Sequence, residues 1–218
     1  MPTRTLDLAE PFFTVRIITA SPAHRVTGKV ILLNLSEEPV RIREQRLGHL
    51  QSAVVADVEL RDVAHAVIVE RFADHEDEDR LFSEVRRCWP SAFDVRQEER
   101  LRGVSHYMSP KVWVGQHGFT MYHSGSVPLN VGLHRDHAFC PVPGFREVHT
   151  QVVGIGKMQQ CRENDVSTLY LEEPMAPGAT HRPMFDADGN YPWHQYETVT
   201  PSIFLAVEML PDGATPPK

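Results

Sequence analysis

The sequence predicts an all-β fold in which short antiparallel strands form a barrel or sandwich on both sides of one helical bridge. Three observations indicate this fold. Short apolar or alternating runs recur along the chain, turns rich in glycine and proline separate them, and a single segment has helical periodicity.

The N-terminal half, residues 1–75, is predicted to be β-rich. Turn sequences such as Ser-Glu-Glu-Pro at 36–39 favour antiparallel neighbours over long helical crossovers. The predicted strands are 13–19, 29–35, 53–60 and 65–70.

Residues 76–103 are predicted to form the helical bridge. The acidic run at 74–79 suits a helix N-terminus, because carboxylates there offset the unpaired amide groups. Apolar side chains then recur at three- and four-residue spacing until Pro90 ends the pattern. These apolar residues are Leu81, Phe82, Val85 and Trp89.

The C-terminal half, residues 104–218, returns to strand patterns joined by glycine and proline turns. This arrangement is typical of a β-barrel or sandwich. Two β-rich halves around one helix would also fit a duplicated fold whose N-terminal copy is degenerate. The predicted strands are 111–117, 127–134, 146–153, 167–172 and 201–208.

Composition limits the classes of partner. The formal charge is −7 and the basic residues are scattered, so a nucleic acid is not expected as a partner. No segment has the length and apolarity of a membrane span or signal peptide, which predicts a cytoplasmic protein. The expected partner is a small-molecule substrate. Three cysteines without CxxC spacing argue against a disulfide framework. The assembly is left open, with a homodimer as one expectation.

The strand at 146–153 carries the most informative chemistry. Residues two apart on a strand share a face, so Glu147, His149 and Gln151 should project together, with valines mostly on the other side. A buried carboxylate and imidazole are costly without partners, and a metal or polar ligand would compensate for that cost.

Residues from about 112 to 210 resemble the metal-binding cupin barrel. His134 and His137 resemble the paired histidines of its first motif, and Glu147, separated from Gly154 by six residues, resembles the motif's glutamate. The second motif resembles Pro177-Gly178-Ala179-Thr180-His181. The spacing departs from the family pattern, because two residues separate His134 from His137.

The resemblance implies a cupin-like jelly roll, with a bicupin as one form of it, and a metal site. It implies metal ligands among His134, His137, His149 and His181, with His134, His149 and His181 as the favoured core. Glu147 and Gln151 are the predicted catalytic residues, with Glu147 as a general base if it is free of the metal. Imidazole ligands with a carboxylate suit zinc as first choice and iron(II) as second.

A finer resemblance links this chain to the small cupins of bacterial hydrazine synthetases. It rests on Arg146-Glu-Val-His-Thr-Gln151, on the segment from Tyr170 to Pro183 and on Tyr191-Pro-Trp-His-Gln-Tyr196. It implies a zinc-dependent rearrangement of an ester of N-hydroxylated lysine and an amino acid, which forms a nitrogen-nitrogen bond. A separate enzyme would have to make the ester. Predicted substrate-binding residues are Tyr170, Arg182, Trp193 and His194, and 191–196 is expected as a lid or a surface loop.

Two other functions remain open at the level of sequence. A cupin sugar isomerase or iron dioxygenase would use the same ligands with different neighbours. A non-catalytic cupin that binds a small molecule would keep the barrel without an open metal position.

Overall fold

The computed structural model describes residues 3–125, 132–135, 142–186, 188 and 190–217. Within these residues the strands form three sheets in which every pair is antiparallel. The all-β prediction is therefore confirmed. No helix within the described ranges has the length and apolarity needed to cross a membrane.

The N-terminal sheet has seven strands in the order β1-β2-β7-β3-β6, with β4 pairing with β5 and β7. Strand β3 (Lys29–Asn34) has a continuous apolar run, as expected for a strand that is buried on both faces. Ile31 and Leu33 belong to one hydrophobic cluster, whereas Val30 and Leu32 belong to another. The strands are β1 (Thr3–Leu6), β2 (Thr14–Arg25), β3 (Lys29–Asn34), β4 (Val40–Ile42), β5 (Gln45–Leu47), β6 (Ser52–Ala56) and β7 (Glu59–Glu70).

The bridge consists of three short helices: α1 (Glu78–Cys88), α2 (Ala92–Arg96) and a 3-10 helix (Glu99–Leu101). Asp77 caps α1 by accepting a hydrogen bond from the backbone N–H of Arg80. Pro90 cannot donate a helical hydrogen bond, and Ser91 begins the next helix by capping it. The predicted single bridge is therefore divided at this point.

Two further sheets form the C-terminal half. A five-stranded sheet has the order β11-β15-β10-β8 with β9 beside β10, and a three-stranded sheet has the order β13-β12-β14. The strands are β8 (His106–Met108), β9 (Val112–Val114), β10 (His117–Ser124), β11 (Arg146–Val153), β12 (Gly156–Cys161), β13 (Leu169–Met175), β14 (Trp193–Thr198) and β15 (Ser202–Met209).

The five-stranded sheet lies between two hydrophobic cores. Ile203 and Leu205 of β15 face a cluster that includes residues of the N-terminal sheet, such as Val67. Phe204 and Ala206 face the opposite way, into a cluster that includes Met158 of the three-stranded sheet. This alternation makes one face of the sheet the wall of an interior space between the two C-terminal sheets.

Several sequence predictions differ from the structure. The predicted strand 53–60 is divided between β6 and the first two residues of β7. The segment 191–196 was expected as a lid or a surface loop, but its residues 193–196 belong to strand β14 (Trp193–Thr198), which pairs with β12 over its full length. The predicted strand 111–117 is divided, because it contains β9 and only the first residue of β10. Most of the predicted strand 127–134 lies outside the described residues.

Candidate functional site

A pocket of about 60 Å³ lies between the five-stranded and three-stranded sheets. The lining combines imidazole, carboxylate, guanidinium and phenol groups with apolar side chains. The lining residues are Arg96, Arg100, Leu101, His106, Tyr122, His134, Glu147, His149, Met158, His194, Tyr196 and Phe204.

Strand β11 supplies Glu147 and His149 to this pocket. Val148 and Val152, which alternate with them, pack in the core on the other side of the sheet. The predicted division of this strand into a polar and an apolar face is confirmed. Gln151 is fully buried, and its side chain donates to the carbonyl of Val153 and accepts from the hydroxyl of Tyr196.

His134 and His194 meet at an isolated antiparallel bridge. Each backbone N–H donates to the other residue's carbonyl, at 3.0 and 2.9 Å, and the ring centroids are 4.3 Å apart. From the sequence, His194 was predicted as a substrate-binding residue. Its pairing with His134 joins positions 60 residues apart, and no local pattern indicates it.

Backbone carbonyls orient both rings. Nδ1 of His134 lies 3.1 Å from the carbonyl of Gly132, and Nδ1 of His194 lies 2.9 Å from that of Pro192. In a neutral imidazole this contact places the proton on Nδ1 and the lone pair on Nε2. Histidines that bind metals are commonly held by such a hydrogen bond from the nitrogen that does not bind the metal.

His149 and Glu147 are close together on the same face. Nε2 of His149 lies 3.5 Å from Oε2 of Glu147, and the glutamate is only 5% exposed. Among the described residues, Nδ1 of His149 is buried without a hydrogen-bond partner. A buried nitrogen of this kind has a desolvation cost that a ligand or water would offset.

His181, predicted as a ligand, is fully engaged within the protein. Its Nε2 accepts from the backbone N–H of His149 at 3.0 Å, and its Nδ1 donates to the carbonyl of Arg182 at 2.8 Å. Burial lowers the pKa of His181 from 6.5 to about 3, and the nearby His149 adds to this effect. Metal binding by His181 would require one of these hydrogen bonds to break.

The other predicted site residues lie in different surroundings. Tyr170 is exposed and donates to Gln160, whereas Arg182 is exposed and ion-paired with Glu173. Trp193 is half-buried, with the guanidinium of Arg135 5.8 Å from its ring centroid. His137 lies outside the described residues.

Three groups that sequence reasoning missed come from the bridge and the strands after it. Arg96 and Arg100, on the helical bridge, reach the pocket, and Arg96 donates a hydrogen bond to the hydroxyl of Tyr122. The ring of His106 stacks on Tyr122 at 5.1 Å, and its Nδ1 lies 3.0 Å from Oγ of Ser124. The sequence contained one signal for the two arginines. They are four residues apart in a predicted helix, and residues at this spacing share one helical face.

Burial sets the protonation of the aromatic groups in the pocket wall. It lowers the pKa of His106 from 6.5 to about 3, and the positive charges of Arg96 and Arg100 lower it further. Burial raises the pKa of Tyr122, so this phenol stays protonated. The wall therefore offers a neutral imidazole and a neutral phenol beside two cations.

The donor set fits a divalent metal in its chemistry. Four imidazoles and a carboxylate line one pocket, and the rings of His134 and His194 have Nδ1 held by backbone carbonyls. The described residues contain no group of three His, Cys, Asp or Glu side chains already spaced to hold an ion. Binding would therefore require these side chains to move together or a further ligand to take part.

No protein-family model matches the chain, and no curated protein matches its sequence. Several solved structures are similar over most of the chain. A cupin 2 conserved barrel domain protein from Leptotrichia buccalis is 8% identical with a TM-score of 0.33, over 96% of this chain and 88% of that chain. Oxalate decarboxylase from Bacillus subtilis is 10% identical with a TM-score of 0.36, over 96% and 76% respectively.

Oxalate decarboxylase from Lactobacillus farciminis, in a formate complex, is 10% identical with a TM-score of 0.33, over 96% of this chain and 81% of that chain. The structural neighbours named here are thus cupin-domain proteins and oxalate decarboxylases.

Proposed function

We propose that the protein is a metal-dependent enzyme that acts on a small polar metabolite in the pocket between its C-terminal sheets. The observation that carries this proposal is the convergence of the imidazoles of His134, His149 and His194 and the buried carboxylate of Glu147 on one small pocket, with a fourth imidazole, His106, in its wall. A carboxylate and imidazoles without a ligand there would be costly to bury, which favours a site built for binding.

We assign the metal to the Nε2 atoms of His134 and His194 and to His149, with His137 as a further ligand predicted from the sequence. The backbone carbonyls that accept from the two Nδ1 atoms fix the ring orientation of the first pair. Zinc is the first choice and iron(II) the second. Bound zinc would polarise a substrate oxygen or nitrogen or acidify a bound water, whereas iron would supply dioxygen chemistry.

Glu147 is the proposed proton acceptor. Its carboxylate is 5% exposed and lies 3.5 Å from the imidazole of His149, so a proton taken from the substrate would stay within the pocket. Leu101, Met158 and Phe204 line the same space and limit the entry of water. Gln151 would act only as a positioning residue, because it orients Tyr196 in the pocket wall.

Within this class, the finer proposal is nitrogen-nitrogen bond formation by rearrangement of an ester of N-hydroxylated lysine and an amino acid. The resemblance of residues 146–151, 170–183 and 191–196 to the cupins of hydrazine synthetases supports it. A separate ester-forming enzyme would then be a functional partner. A sugar isomerase or an iron dioxygenase would use the same pocket.

The test is a set of reconstitution assays. Metal-free protein is loaded with zinc or iron(II) and incubated with the N-hydroxylysine ester, with aldose sugars or with small carboxylates under oxygen, and products are followed by mass spectrometry. Turnover should depend on metal and fall by about a hundredfold or more in Glu147→Gln. The matched control is Glu172→Gln, which removes a partly exposed carboxylate of the three-stranded sheet.

Turnover that is independent of metal, or unchanged in Glu147→Gln, would contradict the proposed mechanism. Ligand binding without turnover of any of these substrates would favour the non-catalytic binding protein. Hydrazine product with zinc would support the finer proposal, and oxygen consumption with iron would reject it.

A further inference from the structure

Three histidines outside the pocket lie at the edge of the core that the two halves share. His65 is on β7 and His117 is the first residue of β10, and their ring centroids are 4.6 Å apart at an interplanar angle of 89°. His49 lies in the loop between β5 and β6. The three rings therefore come from three separate segments, two in the N-terminal half and one in the C-terminal half.

The two-residue period of the strands places two of these rings between the sheets. His65 shares a face of β7 with Val67, and His117 shares a face of β10 with Phe119. Val67 and Phe119 both belong to the core cluster between the N-terminal sheet and the five-stranded sheet. Tyr122, which lines the pocket, is on the opposite face of β10. The histidine cluster is therefore separate from the pocket.

Two ring nitrogens of this cluster are buried without a hydrogen-bond partner among the described residues. They are Nε2 of His65 and Nδ1 of His49. Such atoms are rare in folded proteins, because they lose their hydrogen bonds to water and gain none in return. Two of them in one cluster indicate a shared ligand.

Burial keeps two of the rings in the form that binds a cation. It lowers the pKa of His65, and it lowers the pKa of His117 from 6.5 to about 4, with further contributions from the nearby His65 and His49. A neutral imidazole retains a lone pair for a metal, whereas a protonated one does not. Both rings can therefore act as metal ligands at neutral pH.

The charges on the solvent side of the cluster favour a cation. His49 and His117 line a surface cavity of about 600 Å³, and Oε1 of Glu37 lies 3.4 Å from Nε2 of His49. Three carboxylates and one guanidinium are in the described lining, so its formal charge is negative. These charged residues are Glu37, Arg146, Asp188 and Asp212.

We propose that His49, His65 and His117 form a second metal site, which binds a divalent ion of the zinc type and links the N-terminal sheet to the five-stranded sheet. Three imidazoles suit zinc, and Glu37 or a water completes four-coordination. No three such side chains of the described residues are already spaced to hold an ion, so the His49 ring turns toward the other two on binding. This inference goes beyond the proposed function and does not depend on it.

The exposure of the site sets when it fills. The side chain of His49 is 33% exposed and that of Glu37 is 87% exposed, so the bound ion remains open to exchange with solvent. We therefore expect the cluster to take up zinc that is added to the protein, rather than to retain it through purification.

The test counts zinc equivalents by calorimetric titration of metal-free protein. The wild type should take up two equivalents, one at the pocket and one at the cluster. His65→Gln and His117→Gln should each weaken binding of the cluster ion by about a hundredfold or more, because each removes a ligand. The matched control is His24→Gln, which changes a half-buried histidine of β2 near Glu70 and Arg16 and should keep both equivalents.

Thermal unfolding gives a second measurement. In His149→Ala, which removes a proposed pocket ligand, added zinc should still raise the unfolding temperature, because an ion that binds the folded chain stabilises it. The rise should disappear in the double variant His149→Ala/His49→Gln. Since His49 lies in a partly exposed loop, this variant covers the case in which His65→Gln does not fold.

The variants also separate this inference from the proposed function. A single zinc equivalent that is lost in His65→Gln and kept in His149→Ala would support the cluster and contradict the metal site in the pocket. Zinc binding that is unchanged in both His65→Gln and His117→Gln would overturn the cluster site and leave a bridging water as the partner of the two buried nitrogens. Protein that binds no zinc would overturn both sites.

Discussion

At the scale of single residues, backbone hydrogen bonds set the orientation and the tautomer of the histidines around the pocket. His134 and His194 use Nδ1 to contact backbone carbonyls, which in a neutral ring places the lone pair on Nε2. His181 uses both nitrogens within the protein. Three histidines that look alike in the sequence thus differ in what they can bind.

Sequence reasoning identified part of this set. The two-residue period of a strand was sufficient to place Glu147 and His149 on one face, because that periodicity is local. The contact between His134 and His194 depends on pairing between distant segments, and no local pattern encodes it. The family resemblance indicated His181 as a ligand because this residue ends a Pro-Gly-x-x-His motif. In the structure both ring nitrogens of His181 are hydrogen-bonded to backbone groups.

The first prediction concerns His181. His181→Ala should lower the free energy of unfolding by about 2 kcal/mol or more, because it leaves a buried backbone N–H and carbonyl without their partners. Urea denaturation measures this loss. His75→Ala, which removes a partly buried ring with one hydrogen bond to Phe12, is the control and should cost less.

The metal content of folded His181→Ala then separates two roles. We expect it to equal that of the wild type. Unchanged stability with lost metal would instead make His181 a ligand, as the motif resemblance implies.

At the scale of elements, the turn at 177–181 fastens the C-terminal half to strand β6. The hydroxyl of Ser52 donates to the carbonyl of Gly178 at 2.7 Å, and Thr180 donates to the same hydroxyl at 2.7 Å. The backbone of this turn also pairs with β11 beside Gln151. The turn therefore holds the strand that carries Glu147 and His149.

The second prediction concerns this turn. Gly178 has a φ of +90°, and an added Cβ would lie 2.4 Å from Cγ2 of Val54. Gly178→Ala should therefore destabilise the protein by about 2 to 4 kcal/mol through backbone strain and overpacking. Gly103→Ala is a matched control, because Gly103 has a φ of +74° but open space at its Cβ position.

Thermal denaturation of the two variants separates strain from packing. Gly178→Ala should unfold at the lower temperature. Equal losses would mean that the contact with β6 contributes nothing beyond the backbone conformation.

Strand β12 is an element that the sequence does not predict. Residues 156–161 contain no β-branched residue, so local propensity does not favour a strand there. Pairing on both sides, with β13 and β14, holds β12 in place, together with hydrogen bonds from Gln159 to Glu172 and Glu197. Tertiary pairing thus outweighs propensity.

At the scale of the whole molecule, the two halves share a core. One hydrophobic cluster contains Val15 and Ile31 from the N-terminal sheet together with Val148 and Leu205 from the five-stranded sheet. The sequence predicted two β-rich halves from their strand patterns. It could not show that they are packed face to face, since nothing in a strand pattern specifies the partner of its buried face.

The third prediction concerns acid stability. His106 and His181 have folded pKa values of about 3, below the ordinary 6.5. As the pH falls below 6.5, the unfolded chain binds protons that the folded protein does not, so the free energy of unfolding decreases. Each histidine contributes up to about 1.4 kcal/mol per pH unit in this range.

Urea denaturation of metal-free protein between about pH 7 and about pH 4 measures the slope. His106→Gln should have a shallower slope than the wild type. A stability that does not change over this range would show that these imidazoles are not buried in neutral form.

The metal content of the purified protein tests the proposed site most directly, and it is measured by elemental analysis for the wild type, His149→Ala, His194→Ala and the control His75→Ala. The account predicts about one equivalent of zinc or iron in the wild type and in the control, and its loss in both pocket variants. A protein without metal, or one that keeps its metal in both pocket variants, would contradict a metal site built on these histidines.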